Sequence, residues 1–256
     1  MDLAIMNSNF QLLIVLPILN IGINLTEWIP VQWTGFFCDD DEIRYPLKSD
    51  TIPYFQMQVF YCVFGFLLVL MSEYSSMQRF SGSNYRQTLS YIGLQTIIGN
   101  HIWIGLEYFV NIAKRTTSRL RPDFLGICQP VNLTILCSDD SNVFVEFYTC
   151  GRNIIDEEFL SFPSGHTAYC SFVSTFIIIY LHRRCKVPFK TKQFLQFLLA
   201  TIAVGIAFSR VRDNKHRLSD VIGGGLIGIS SAVFYTKMML NNFDLLKFPS
   251  DITEEV

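Results

Sequence analysis

Pro163-Ser164-Gly165-His166-Thr167-Ala168-Tyr169-Cys170-Ser171-Phe172-Val173-Ser174-Thr175-Phe176-Ile177-Ile178-Ile179-Tyr180-Leu181 is a helix start with polar chemistry written into its first turn. Proline is tolerated at a helix entry because the N–H it lacks has no intrahelical partner there. Ser164 and Gly165 fall where backbone N–H groups are left free, so this end can cradle an anion or be closed by an ordinary Ser N-cap. The apolar run that follows approaches the roughly 20 residues needed to cross about 30 Å of hydrocarbon. Inside a bilayer a single segment satisfies its own backbone only as a helix.

Outward from this stretch, further apolar runs lie near residues 10–27, 54–72, 88–110, 194–208 and 221–240, and the run at hand covers 166–181. Half of the 256 residues are apolar, 16% are charged and 23 are Phe, which suits a chain solvated by lipid. The reading is all-α: one integral membrane bundle of six transmembrane helices over residues 1–256. Residues 241–256, ending in the acidic Asp251 to Val256, form a short cytoplasmic tail. Pro17, Asn20 and Asn24 interrupt the first run, but Met1 to Asn9 lacks the Lys or Arg of a signal peptide. The net charge of −2 and the lack of a basic tail exclude a nucleic-acid partner. No repeat or low-complexity segment divides the chain.

Six spans put both termini on one side and loops 28–53, 111–165 and 209–220 on the other. Each polar cluster of interest falls in the second set or at its edge. After the third run come Lys114, Arg115, Arg119 and Arg121, closed by Pro122. Such a cluster serves headgroups as readily as a site, which is one reading of Arg115 and Arg119. Arg121 offers a planar fork for phosphate oxygens and Lys114 a compact charge. At Gly165 a phosphate can approach the backbone closely. His166, beside it, holds its proton more tightly next to bound phosphate and can give it to a departing alkoxide. Ser209-Arg210 ends the fifth run; Ser209 either meets phosphate or caps the turn. His216 and Asp220 stand four apart, on one face of a helix, as a nucleophile and the carboxylate that orients it. Taken alone, His216 would be a surface histidine near a capping Asp220. Together the clusters supply what phosphate-ester cleavage needs without a metal or other cofactor.

The order Lys114-x6-Arg121-Pro122, Pro163-Ser164-Gly165-His166 and Ser209-Arg210-x5-His216-x3-Asp220 resembles that of the type 2 phosphatidic acid phosphatase superfamily. The outer loop, with Gly35-Phe36-Phe37-Cys38-Asp39-Asp40, Tyr45-Pro46 and Thr51-Ile52-Pro53-Tyr54, is similar to that of animal phospholipid phosphatases. This resemblance, over about residues 10–240, implies a lipid phosphatase acting on phosphatidate, lysophosphatidate, ceramide 1-phosphate or sphingosine 1-phosphate. It implies His216 as nucleophile with Asp220 behind it, His166 as acid, and Lys114, Arg121, Ser164, Gly165 and Arg210 as phosphate binders, with no metal. It also implies a pocket open sideways to the bilayer, in a membrane-embedded protein that can form homo-oligomers. Asp123 stands where His is expected and Leu218 where an aromatic residue is expected, which bears on substrate preference. The rival readings are a phosphatase specific for sphingosine phosphate or polyisoprenyl diphosphate, a catalytically silent interaction protein, and a transporter. The short tail, the intact motifs and the scarcity of mid-span charge, with Glu107 the exception, disfavour the last two.

Orientation is set by the sequon Asn132-Leu133-Thr134 in the loop that holds Cys128, Cys137 and Cys150, because Lys and Arg collect on both sides. The motif face is therefore extracellular or lumenal, most simply at the plasma membrane. There the resemblance implies a Cys137–Cys150 disulfide and leaves Cys128 for Cys38, although spacing alone does not decide the connectivity. Asn132→Gln is expected to abolish a glycan-dependent mobility shift, whereas Asn24→Gln, too near the bilayer, leaves it intact. A glycan-free Asn132 with loop 111–165 labelled only after permeabilisation would reverse the orientation.

Overall fold

The computed structural model describes residues 26, 28–77, 106–137, 142–152, 155–185 and 187–243. The expected span near 10–27 apart from Thr26, all of 88–110 before residue 106, Asn24 and the tail beyond residue 243 lie outside these residues. What is described is mostly helical: α1 (Tyr54–Met77), α2 (106–117), the short α3 (Phe124–Cys128) and α4 (Leu133–Leu136), then α5 (Gly165–Arg184), α6 (Phe189–Arg212) and α7 (Leu218–Phe243). A two-stranded antiparallel sheet, β1 (Phe36–Phe37) with β2 (Phe144–Val145), adds a small β element to the all-α expectation.

Tyr54–Ser72, Phe189–Arg212 and Leu218–Lys237 are long and apolar enough to cross a membrane. Their outer faces carry large apolar side chains, with Phe55 73% and Phe197 72% exposed, as suits helices against lipid. The fourth expected span, α5, is equally long but less apolar, and its packing explains why. It is surrounded. One face meets Leu106 and Val110 of α2 and Ala232 and Tyr235 of α7; another meets Met57 and Tyr61 of α1 and Ala203 and Ile206 of α6. A helix that faces protein can carry hydroxyls that find partners, as Ser174 does with Tyr61 at 2.9 Å.

The contact of α5 with α7 is backbone to backbone. A Cβ on Gly224 would collide with the carbonyl oxygen of Ser164, and one on Gly228 with that of Ala168. Two small residues one turn apart on each helix thus set how near they approach.

The segments expected to be loops on the motif side fold into a cap with its own core. Phe36, Ile43, Phe124, Val145 and Phe159 are buried in it. Its disulfides join Cys38 to Cys137 and Cys128 to Cys150. This corrects the expected Cys137–Cys150 pairing: the β1–β2 ribbon carries Cys38 to the end of α4, so Cys137 meets a residue 99 positions away. Asn132 is exposed at the head of α4. The cap is strapped to the bundle by Thr51, whose hydroxyl donates to Asp213 at 2.5 Å, and by Asn214, which donates to the Pro46 carbonyl at 2.9 Å.

Gly228→Ala is expected to lower stability by about 1–3 kcal/mol through overpacking, read as thermal unfolding in detergent micelles. Gly205→Ala is the control, since nothing lies within 4 Å of a Cβ there. Equal melting temperatures for the two variants would show that α5 and α7 do not touch through their backbones.

Candidate active site

At the cap–bundle junction lies a cavity of about 370 Å³, and Lys114, Arg121, Gly165, His166, Arg210 and His216 all line it. These residues come from three separate parts of the chain. Lys114 is in the last turn of α2, with its Nζ 3.8 Å from the Cβ position at Gly165, so its charge stands over the head of α5. Arg121 follows, held by its N–H to the Glu158 carbonyl at 2.9 Å. Its guanidinium reaches Glu157 at 3.4 Å.

Ser164 has extended backbone, and its buried side chain accepts from the Thr167 N–H, so the hydroxyl is an N-cap. It does not line the cavity. Among the described residues the N–H groups of Gly165 and His166 have no partner, and they carry the positive end of the α5 dipole. Ser209 likewise spends its hydroxyl locally, donating to the Ile206 carbonyl at 2.7 Å.

Arg210, only 2% exposed, is fixed by Asp50 at 2.7 Å and the Ile52 carbonyl at 3.3 Å. Burial works against ionisation of Asp50, yet the hydrogen bond and charge of Arg210 hold its carboxyl below the ordinary value. The Arg210 carbonyl accepts from the His216 N–H at 3.3 Å, which folds the turn after α6 back on itself and drops the imidazole into the cavity. The rings of His166 and Tyr54 meet edge to face, with centroids 4.9 Å apart. Among the described residues, the Nε2 of His166 and the Nε atoms of Arg121 and Arg210 are buried with no hydrogen-bond partner. Buried polar atoms left unpaired are costly, and these three belong to side chains that line one cavity.

The Nδ1 of His216 lies 2.7 Å from the Ser161 carbonyl. A carbonyl can only accept, so Nδ1 bears the proton and Nε2 keeps its lone pair. This corrects the expected His216–Asp220 hydrogen bond: Asp220 is 4.0 Å from Nδ1. The four-residue spacing would stack the two side chains if both were helical, but α7 begins at Leu218, after His216. Asp220 is wholly buried and accepts instead from the Ser161 hydroxyl at 2.6 Å, Arg119 at 2.8 Å and the Arg217 N–H at 2.8 Å. It holds the Ser161 segment that holds His216. Arg119 is therefore part of this scaffold rather than a headgroup contact, whereas Arg115 donates to the Ile29 carbonyl at 2.8 Å.

Burial, then the charges of Arg121, Lys114 and Arg210, push the His216 imidazole well below its ordinary pKa, so it is neutral at neutral pH. Burial, then Arg121, bring the Lys114 ammonium down to about 8, opposed by Glu157 and Glu107. The two departures noted in the sequence lie off the site. Asp123 is buried in an ion pair with Lys215 at 2.7 Å, and Leu218 is exposed. Asp50 and Ser161 were missed by sequence reasoning, because they belong to no spacing pattern and are recruited only by folding; Arg119 was seen, but as a headgroup contact.

A family model described as the PAP2 superfamily matches residues 89–244, which contain all three motifs. The chain belongs to the PAP2 superfamily. It is 35% identical to mouse "Phospholipid phosphatase 1" over 78% of this chain and 72% of that one. It is 34% identical to "Phospholipid phosphatase homolog 1.2 homolog" of Caenorhabditis elegans, over 83% of this chain and 68% of that one. A crystal structure titled as the first transmembrane PAP2 type phosphatidylglycerolphosphate phosphatase, from Bacillus subtilis, aligns over 94% of this chain and 97% of its own. Its TM-score of 0.40 at 19% identity carries no structural argument. PAP2 membership, together with these relatives, supports a phosphatase of membranes.

If Asp220 acts through its partners, Asp220→Asn should lower kcat about 10- to 100-fold, the worth of one or two charge-assisted hydrogen bonds. Arg119→Gln should lower it about tenfold. The double variant is expected to be no worse than Asp220→Asn within about threefold, because both changes break one network. Fully additive losses would separate Arg119 from Asp220.

Proposed function

We propose that this chain is a phospholipid phosphatase that hydrolyses lipid phosphate monoesters through a phosphohistidine on His216, with no metal. The substrates are phosphatidate, lysophosphatidate, ceramide 1-phosphate and sphingosine 1-phosphate. The observation that carries the reading is the single cavity in which Lys114, Arg121, Arg210 and the open end of α5 surround His166 and His216. The names of its PAP2 relatives, phospholipid phosphatase among them, point the same way.

In the first step the Nε2 lone pair of His216 forms a bond to phosphorus as the bond from phosphorus to the alcohol oxygen breaks. That oxygen takes the proton of His166, whose protonated form the incoming dianion favours. In the second step a water oxygen attacks phosphorus, its proton passes to His166, the N–P bond breaks and inorganic phosphate leaves. The cations and the helix end oppose charge on the equatorial oxygens, the part a metal ion plays elsewhere. A neutral His216 with Nδ1 held by Ser161 is the form this chemistry requires. The cap and the Asn132 sequon support an active site facing outside the cell or the lumen, where the enzyme would clear lipids from the outer leaflet.

Purified protein in detergent micelles is expected to release phosphate from these lipids in excess EDTA and to be inhibited by vanadate. His216→Ala should lower turnover by at least about three orders of magnitude. Activity lost with EDTA and restored by magnesium, or near-normal turnover by His216→Ala, would overturn the mechanism.

A further inference from the structure

The wall of the cavity made by α2 carries one feature that phosphate binding does not use. Leu106, Glu107, Val110, Asn111 and Lys114 all line the cavity, and their spacing places them on one face of the helix. Lys114 is at the phosphate end. Glu107 lies seven residues earlier, about 10 Å along the axis toward the membrane, and Lys side chains lean back in that direction. A lipid whose phosphate meets Lys114 and whose chain follows α2 toward the bilayer passes Asn111 and Glu107 with its alcohol portion. Glu107 is half-buried and, among the described residues, makes no hydrogen bond or ion pair. A carboxylate there opposes a dianion and offers nothing to an acyl chain. It does suit a donor: a hydroxyl or an ammonium group.

Resting on the lipid phosphatase reading above, we infer that Glu107, with Asn111 beside it, forms a subsite for a hydrogen-bond donor on the substrate's alcohol, next to the phosphoester carbon. The cavity thereby selects lipid phosphates with a free hydroxyl or ammonium there over those in which that position is acylated or bare.

The test compares kcat/KM in mixed micelles for matched pairs: 1-oleoyl lysophosphatidate against its 2-deoxy analogue, and sphingosine 1-phosphate against its 2-deamino analogue. The wild type is expected to favour the donor-bearing member of each pair about tenfold, the worth of one charge-assisted hydrogen bond. Glu107→Leu should bring both ratios near one. Glu107→Gln, which keeps a neutral acceptor, should retain most of the hydroxyl preference and lose the ammonium preference, which tells the two donors apart. Ratios near one in the wild type overturn the subsite. So does a Glu107→Leu variant that slows both members of each pair equally, since that is the mark of a merely structural residue. A wild type inert toward all four lipids overturns the phosphatase reading itself.

Discussion

The close crossing of α5 and α7 is the constraint on which the site depends. Lipid gives two membrane helices no hydrophobic reason to associate, so packing and interhelical hydrogen bonds must hold them. Here Gly224 and Gly228 let α7 rest on the carbonyls of Ser164 and Ala168, and the Ser164 N–H donates to the Asp220 carbonyl at 3.0 Å. The head of each helix is thereby pinned to the other. The turn that precedes α7 is drawn over the open end of α5, and His216 enters the same cavity as His166. A side chain on either glycine would push apart the two imidazoles as well as the helices.

Gathering cations in a partly buried cavity raises their mutual repulsion, and the fold answers with carboxylates placed behind them. Asp50 braces Arg210 and Glu157 reaches Arg121. Each carboxylate fixes a cation in position while leaving part of its hydrogen-bonding capacity to the cavity, as the unpaired Nε of Arg210 shows. Groups held this way need little reorganisation when charge develops on phosphorus, the condition under which electrostatic stabilisation is most effective. Burial, and after it the same positive field, keeps His216 neutral, so one arrangement serves both anion binding and nucleophilicity.

Much of this was legible in the linear chain because it obeys short-range rules. Run lengths matched to a bilayer marked the helices Tyr54–Met77, Phe189–Arg212 and Leu218–Phe243. Helix-entry chemistry marked Ser164-Gly165-His166, and the side of the membrane shared by the motif loops predicted that Lys114, Arg121, Arg210 and His216 would lie together. Spacing misled where it assumed regular structure: His216 and Asp220 are four apart, but only Asp220 is in the helix.

By itself, then, the sequence determined a helical membrane chain and the residues that converge on one face, since both follow from local hydropathy, helix-end geometry and the order of spans. Only the tertiary structure decided which groups meet in pairs. Arg210 finds Asp50 across 160 positions, Arg119 finds Asp220 across 101, and Cys38 finds Cys137 across 99. No periodicity encodes such pairings. They arise when the cap folds over the bundle and buried charges and thiols must take the partners that packing brings within reach.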